Sequence, residues 1–244
     1  VTKINASVET KIDLQKGREF WAYQPPVKVS PSKTKSSMWA RTPIDGFVIA
    51  ALDEQGQTPV TDADARTLVR RLFFVITGLP PTPDDITDWT NRIDGATSEQ
   101  SRQAVVSQLV DELLNSPRYG ERWGRHWMDV ARFAESTGGD QNNIYQHAWR
   151  YRDYIIDAFN SDKPFDDFIR EQIAGDLLPV ENDQDWADNV IATGFLTVGV
   201  KLVGEEDQQK FFADLIDEQI DTTTRAFLGT TVACARCHDH KFDP

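Results

Sequence analysis

The chain has 244 residues, enough for one large domain or for a main domain with an N-terminal extension. Its net charge of -13 disfavours nucleic acid as a partner, because a phosphate-binding surface needs clustered Lys and Arg. No apolar run approaches the ~20 residues that a membrane-spanning helix needs. We therefore expect neither nucleic-acid binding nor a transmembrane segment.

Residues 1–43 are predicted to form an extended N-terminal arm and linker. The segment from Phe20 to Val27 combines large apolar rings with the adjacent prolines Pro25 and Pro26, which exclude a helix there. The polar stretch at residues 30–37 has no hydrophobic periodicity and is typical of a linker.

Residues 44–244 are predicted to form a helical domain. Apolar residues recur there at helical spacing, and cap-like groups such as Thr61–Asp64 and Thr82–Asp85 precede helices. Strand signals are sparse. Further helices are expected at residues 101–114, 117–136, 148–160, 164–178 and 185–200. The predicted fold is mostly α, an irregular multi-helix domain with about ten helices.

The last eleven residues contain both cysteines and two of the four histidines of the chain. Cys234, Cys237 and His238 form the Cys-x-x-Cys-His pattern that attaches a c-type haem. Two thiols at this spacing can bond to the two vinyl groups of one porphyrin, and the next imidazole then reaches the iron as proximal ligand. The sequence therefore predicts covalent haem c held by these three residues.

Other interpretations of the two cysteines stay open. A thioredoxin-type motif should open a helix after a buried strand, whereas the run before Cys234 is helical in character. Structural zinc needs four ligands, of which Cys234, Cys237 and either His238 or His240 would supply three. Structural thiols or a disulfide are the remaining alternative.

The sixth haem ligand decides between two functions. An internal His or Met gives an electron carrier, and an open position permits catalysis on a small molecule. The candidates are His126, Met128, His147 and His240. His126 is a candidate distal ligand or pocket residue, with Asp129 three residues later to orient the imidazole, and the alternative is an ordinary packed histidine. His240 lies too close to His238 to reach the other face of the ring, so we expect it to line the pocket.

Four carboxylates precede the cysteine motif, at the i, i+3, i+4 and i+7 positions of a predicted helix: Asp214, Asp217, Glu218 and Asp221. A solvated acidic face is the default interpretation. Ion pairs with arginines of other helices come next, and a hard cation such as calcium is the weakest of the three.

Several phrases of the sequence resemble one family. They are Pro43–Val48, Leu79–Pro83, Ser116–Trp123, His126–Arg132, Trp149–Tyr154, Ala174–Leu178 and Cys234–Pro244. Together they resemble the second type of planctomycete-specific cytochrome domain, long described as a domain of unknown function. The resemblance runs from about residue 17 to the last residue. It implies a secreted or periplasmic protein of a planctomycete-like bacterium, in which this domain is followed by more of itself and by a partner domain.

The function expected from the sequence is an exported c-type haem domain that transfers electrons or supports a redox process in the periplasm or outside the cell. Its partner would be a redox protein or a downstream domain of the same polypeptide. The first residue is not Met, which is compatible with a removed export signal. The alternatives are a haem oxidoreductase with an open sixth position and a zinc-stabilised or other metal-stabilised structural or interaction module without haem. Whether the protein is an enzyme stays open.

Overall fold

The computed structural model describes residues 14–31, 39–139 and 141–237, and the fold is mostly α, as predicted. Ten α-helices are present in these residues, and the only β-type pairing within them is an isolated bridge between Ser136 and Ile144. None of the helices found there is long and apolar enough to cross a membrane. The chain divides into two compact units, residues 1–62 and residues 63–244.

The described part of the first unit contains two helices, α1 (Leu14–Arg18) and α2 (Pro43–Glu54), with a 3₁₀ turn at Trp21–Tyr23. The 3₁₀ turn ends before the paired prolines, and the residues that follow it are not helical. α2 starts at a capping box in which the Thr42 hydroxyl accepts from the Asp45 N–H and the Asp45 carboxylate accepts from the Thr42 N–H. Most of the predicted linker lies outside the described residues.

The second unit contains eight α-helices in its described part. They are α3 (Ala65–Ile76), α4 (Pro83–Asp94), α5 (Glu99–Leu114), α6 (Pro117–Val130), α7 (Ala148–Asn160), α8 (Phe165–Ala174), α9 (Asp183–Ala192) and α10 (Gln208–Thr223). Shorter helical turns lie at Gly175–Leu177, Thr193–Leu196, Thr224–Leu228 and Ala233–Arg236. Most of the α-helices begin at a polar cap, and Asp64, Thr82 and Ser98 each accept a hydrogen bond from a backbone N–H of the first turn.

The second unit has two hydrophobic clusters. The first joins α3, α4 and α5 around the fully buried Val69 and Leu109. The second joins α7, α8, α9 and the turn Thr193–Leu196 around Ile155 and Phe195. The aromatic face predicted on α6 packs against this second cluster through Trp127, so it belongs to the core, as expected for such a stripe.

A buried polar group links three elements inside the aromatic cluster. The Trp127 indole N–H lies 2.9 Å from the Gln172 side-chain oxygen and 3.1 Å from the Tyr151 hydroxyl, and that hydroxyl donates to the same Gln172 oxygen at 2.6 Å. Burial raises the pKa of Tyr151 above its ordinary value. The network satisfies polar atoms that would otherwise be buried at a cost, and it fixes α6, α7 and α8 relative to one another.

Three predicted helices end earlier than expected. α6 stops at Val130 instead of continuing to residue 136, because Arg132 adopts a left-handed backbone with φ of 49°. The helix predicted at residues 185–200 gives way to a 3₁₀ turn where Gly194 packs against the Tyr151 ring. The one predicted at 164–178 ends at Ala174, and it is followed by Gly175, where a Cβ would lie 2.1 Å from the Asn189 carbonyl oxygen.

α6 and α7 approach closely at Gly120, and this contact gives a test of the fold. A Cβ at Gly120 would lie 2.4 Å from the Ile156 carbonyl oxygen, and the Gly120 N–H donates to the Asn160 side chain at 2.8 Å. We expect Gly120→Ala to lower the free energy of unfolding by about 2–4 kcal/mol, because the two helices must separate. Urea denaturation measures the change. Gly17→Ala is the control, since nothing lies within 4 Å of its new methyl group; an equal loss in both variants would contradict the close packing of α6 on α7.

Candidate functional site

The cysteine motif forms a short 3₁₀ turn at Ala233–Arg236, followed by Cys237. The Cys237 N–H donates to the Cys234 carbonyl oxygen at 3.2 Å. Residues three apart in such a turn lie on the same face, so the two side chains start from one side of the turn. Both cysteines are free thiols and both are exposed. His238 and His240 lie outside the described residues, so their predicted roles stay predictions.

Arg236, one of the two residues between the cysteines, attaches the turn to α10. One guanidinium nitrogen lies 2.7 Å from the Asp214 carboxylate and the other lies 3.4 Å from the Asp217 carboxylate. The hydrogen bond from Arg236 lowers the pKa of Asp214 below its ordinary value of 3.8. The stabilisation from this pair is therefore complete above the ordinary pKa and is lost only as the pH falls through the lowered one.

The four carboxylates ahead of the motif all have basic partners. Beside the two that contact Arg236, Glu218 pairs with Arg132 and Asp221 pairs with Arg225. In the described part of the chain, no group of three or more His, Cys, Asp or Glu is placed to hold a metal ion. Of the three interpretations of this acidic row, ion pairing is the one that the contacts match.

The pair formed by Glu218 and Arg132 fastens α10 to the aromatic cluster. Two guanidinium nitrogens of Arg132 donate to the two carboxylate oxygens of Glu218. The third donates to the carbonyl oxygens of Ala131 and Phe195, each at 3.1 Å. Both side chains are about a quarter exposed, at 24% and 26%. α10, to which Arg236 attaches the motif, is therefore bound to the end of α6 and to the turn Thr193–Leu196.

Aromatic packing holds the segment between α10 and the motif. The Phe227 ring lies 5.3 Å from the Phe195 ring and 5.7 Å from the Trp127 ring, measured between centroids. Gly229 then turns the chain with φ of 63°, a conformation that glycine adopts without strain. The motif thus follows a segment that is already packed against the core.

α10 also presents an exposed apolar stripe. Phe212, Ile216 and Ile220 recur every four residues and are 60%, 56% and 50% exposed. Leu228, between α10 and the motif, is 70% exposed. The helix that supports the two cysteines therefore offers uncovered apolar surface.

The candidates for a sixth ligand occupy different surroundings. His126 is exposed, with its ring centroid 5.3 Å from that of Trp123, and no hydrogen bond joins it to Asp129 among the described residues. The predicted role of Asp129 in orienting the His126 imidazole is therefore not supported by a hydrogen bond among the described residues. Met128 packs against the aromatic cluster, and His147 is exposed just before α7.

A cleft of about 430 Å³, which no sequence pattern indicates, lies at the start of α7. Its lining includes Tyr145, His147, Arg150 and Lys201. Burial lowers the pKa of Lys201 and raises the pKa of Tyr145. These residues come from separate stretches of the chain and follow no common spacing, so His147 is the only one of the four that the sequence suggests as a site residue.

One family model matches most of the chain. The model named PSCyt2, described as a protein of unknown function (DUF1549), matches residues 43–244, and the chain belongs to this family. No curated protein and no solved structure matches the chain.

The ion pair that holds α10 can be tested by removing its charge. We expect Glu218→Gln to lower the free energy of unfolding by about 1–3 kcal/mol, because Arg132 is left partly buried without its carboxylate. Urea denaturation measures the loss. Glu121→Gln is the matched control, since Glu121 pairs with Arg118 on the exposed side of α6 and should have no measurable effect. Equal stability of both variants would contradict the role given to the Arg132 pair.

Proposed function

We propose that this member of the PSCyt2 family is an exported c-type haem module that transfers electrons or supports a redox reaction outside the cytoplasm. In this proposal Cys234 and Cys237 bind the porphyrin through thioether bonds, and His238 binds the iron as proximal ligand. The observation that carries it is the pair of free, exposed thiols three residues apart at a single turn, with a histidine next in the sequence.

The residues around the motif fit a covalently attached haem. The attachment needs two accessible thiols on a common side, and the turn provides them. It also needs a fixed support, which Arg236 supplies through Asp214 and Asp217. A porphyrin buries much of its apolar surface against protein, and the exposed stripe of α10 offers such surface on the helix that supports the turn. When bound, the haem supplies one-electron redox chemistry.

The partner and the location follow from the same proposal. Exposed attachment points keep one edge of the group near the protein surface, where a redox protein or a downstream domain of the same polypeptide can dock. Covalent haem attachment normally takes place outside the cytoplasm, so we propose a periplasmic or secreted location.

Attachment is tested by producing the chain in a bacterial periplasm together with haem-attachment machinery. We expect a Soret band that remains with the protein after acid–acetone extraction. Cys234→Ser combined with Cys237→Ser should abolish it, because no thiol then remains to form a thioether. Glu121→Gln, an exposed substitution on α6, is the control and should leave the covalent haem and its spectrum unchanged.

One result would replace the proposal with the zinc alternative. It is a colourless protein, produced under the same conditions, that contains one zinc ion per chain and loses it when Cys234 and Cys237 are replaced by serine. The helices would then form a metal-stabilised interaction module.

Carbon monoxide distinguishes an electron carrier from a haem enzyme. We expect no change in the spectrum of the reduced protein on adding carbon monoxide, because a carrier has both axial positions filled by side chains. An immediate shift of the Soret band would instead support an oxidoreductase with an open sixth position. Repeating the measurement with His126→Ala, Met128→Leu and His147→Ala identifies the sixth ligand, since the variant that has lost it gains carbon monoxide binding.

A further inference from the structure

The cleft at the start of α7 has a basic lining in a strongly acidic protein. His147, Arg150 and Lys201 line it, and none of its lining residues is Asp or Glu. Over the whole chain, by contrast, Asp and Glu outnumber Lys and Arg by 39 to 26. Positive charge is therefore concentrated at this cleft against the general trend of the sequence.

The positive charge of the cleft is not neutralised by neighbouring carboxylates. The Arg150 guanidinium has no ion pair among the described residues and lies 5.4 Å from the centre of the adjacent Trp149 ring. The Lys201 ammonium donates to the Tyr145 hydroxyl at 3.0 Å and to the Thr197 carbonyl oxygen, both uncharged groups. Glu218 acts on Lys201 electrostatically, but it is itself paired with Arg132.

The remaining wall of the cleft is uncharged and mostly apolar or aromatic, with Gln146, Thr193 and Thr197 as its polar members. The Lys201 ammonium nitrogen lies over the face of the Tyr145 ring, 5.0 Å from the ring centroid. Tyr151 and Val198, which also line the cleft, are almost fully buried. A volume of about 430 Å³ is at the lower end of the range for small-molecule sites, so it suits a molecule with about one ring.

We propose that this cleft binds a small organic acid. Its ionised carboxylate lies at Arg150 and Lys201, and its compact apolar body lies against Tyr145 and Val198. A guanidinium presents paired N–H donors that match the two oxygens of a carboxylate, and the ammonium fixed by Tyr145 adds a second cation. The site is separate from the cysteine motif, because none of its lining residues belongs to that motif.

Binding is tested by isothermal titration of the haem-free chain with sodium benzoate as the probe. We expect saturable binding that weakens as salt is added, because the attraction between partly exposed charges is screened. Benzamide has the same ring and a neutral head group, and it should bind about tenfold more weakly or worse, having lost a charge-assisted hydrogen bond. Equal affinity for the two compounds, or no saturable binding of benzoate, would overturn the proposal.

Two variants test whether Arg150 and Lys201 bind the carboxylate of benzoate. Arg150→Gln changes an exposed side chain and should leave the fold intact while weakening benzoate about tenfold. Lys201→Gln should weaken it as well, with the circular dichroism spectrum checking that the variant is folded. Arg170→Gln is the matched control, because Arg170 pairs with Asp166 and Asp167 on the exposed side of α8 and does not line the cleft.

Amide chemical shifts show where the probe sits. Benzoate should perturb the amides of Ala148, Thr193 and Gly194, which line the cleft in the wild-type chain. Perturbations confined to other parts of the protein, or benzoate affinity unchanged in Arg150→Gln, would show that the cleft is not the binding site.

Discussion

The ion pair between Arg132 and Glu218 is the contact on which the functional half of this structure depends. Arg132 follows the end of α6 in a left-handed backbone conformation, which is strained for a residue other than glycine. Its guanidinium donates hydrogen bonds to Glu218 and to the Ala131 and Phe195 carbonyl oxygens, and these contacts hold the strained backbone in place. The chain at Gly199 passes so close to this pair that a Cβ there would lie 2.1 Å from a Glu218 oxygen. One guanidinium thus fixes the end of α6, the Phe195 turn and α10.

Both candidate sites are built on this support. Asp214 of α10 forms an ion pair with Arg236, and this contact positions the turn that presents the two cysteines. At the cleft, the Gly199 carbonyl accepts a hydrogen bond from the Tyr145 hydroxyl at 2.7 Å, and that hydroxyl receives one from Lys201. The cleft and the cysteine motif therefore share one structural base, although no residue belongs to both.

What the sequence predicted correctly was local, and what it missed depended on tertiary contacts. The helix starts at Asp64, Thr82 and Ser116 were readable because a capping side chain acts on backbone groups two or three residues away. The end of α6 at Val130 was not, because the backbone of Arg132 is fixed by a carboxylate 86 residues later in the chain.

The two candidate sites show the same division between local and tertiary information. The acidic row on α10 is evident from its helical spacing, and so is Arg225, four residues after its partner Asp221. Arg132 and Arg236 belong to other segments, so the spacing cannot identify them. The cysteine motif is likewise evident from spacing alone. The cleft has no spacing to detect, because Tyr145, Arg150 and Lys201 meet only when the chain folds.

The way the motif is held bears on what the cysteines are for. In a zinc-stabilised module the thiolates supply the folding energy, and the surrounding chain has little structure without metal. Here the packing of Phe227 and the ion pairs of Arg236 hold the segment without any contribution from the thiols, which remain exposed. Two exposed cysteines on a turn that other contacts hold in place are better suited to carrying a cofactor than to stabilising the chain. This difference supports haem attachment over a structural metal.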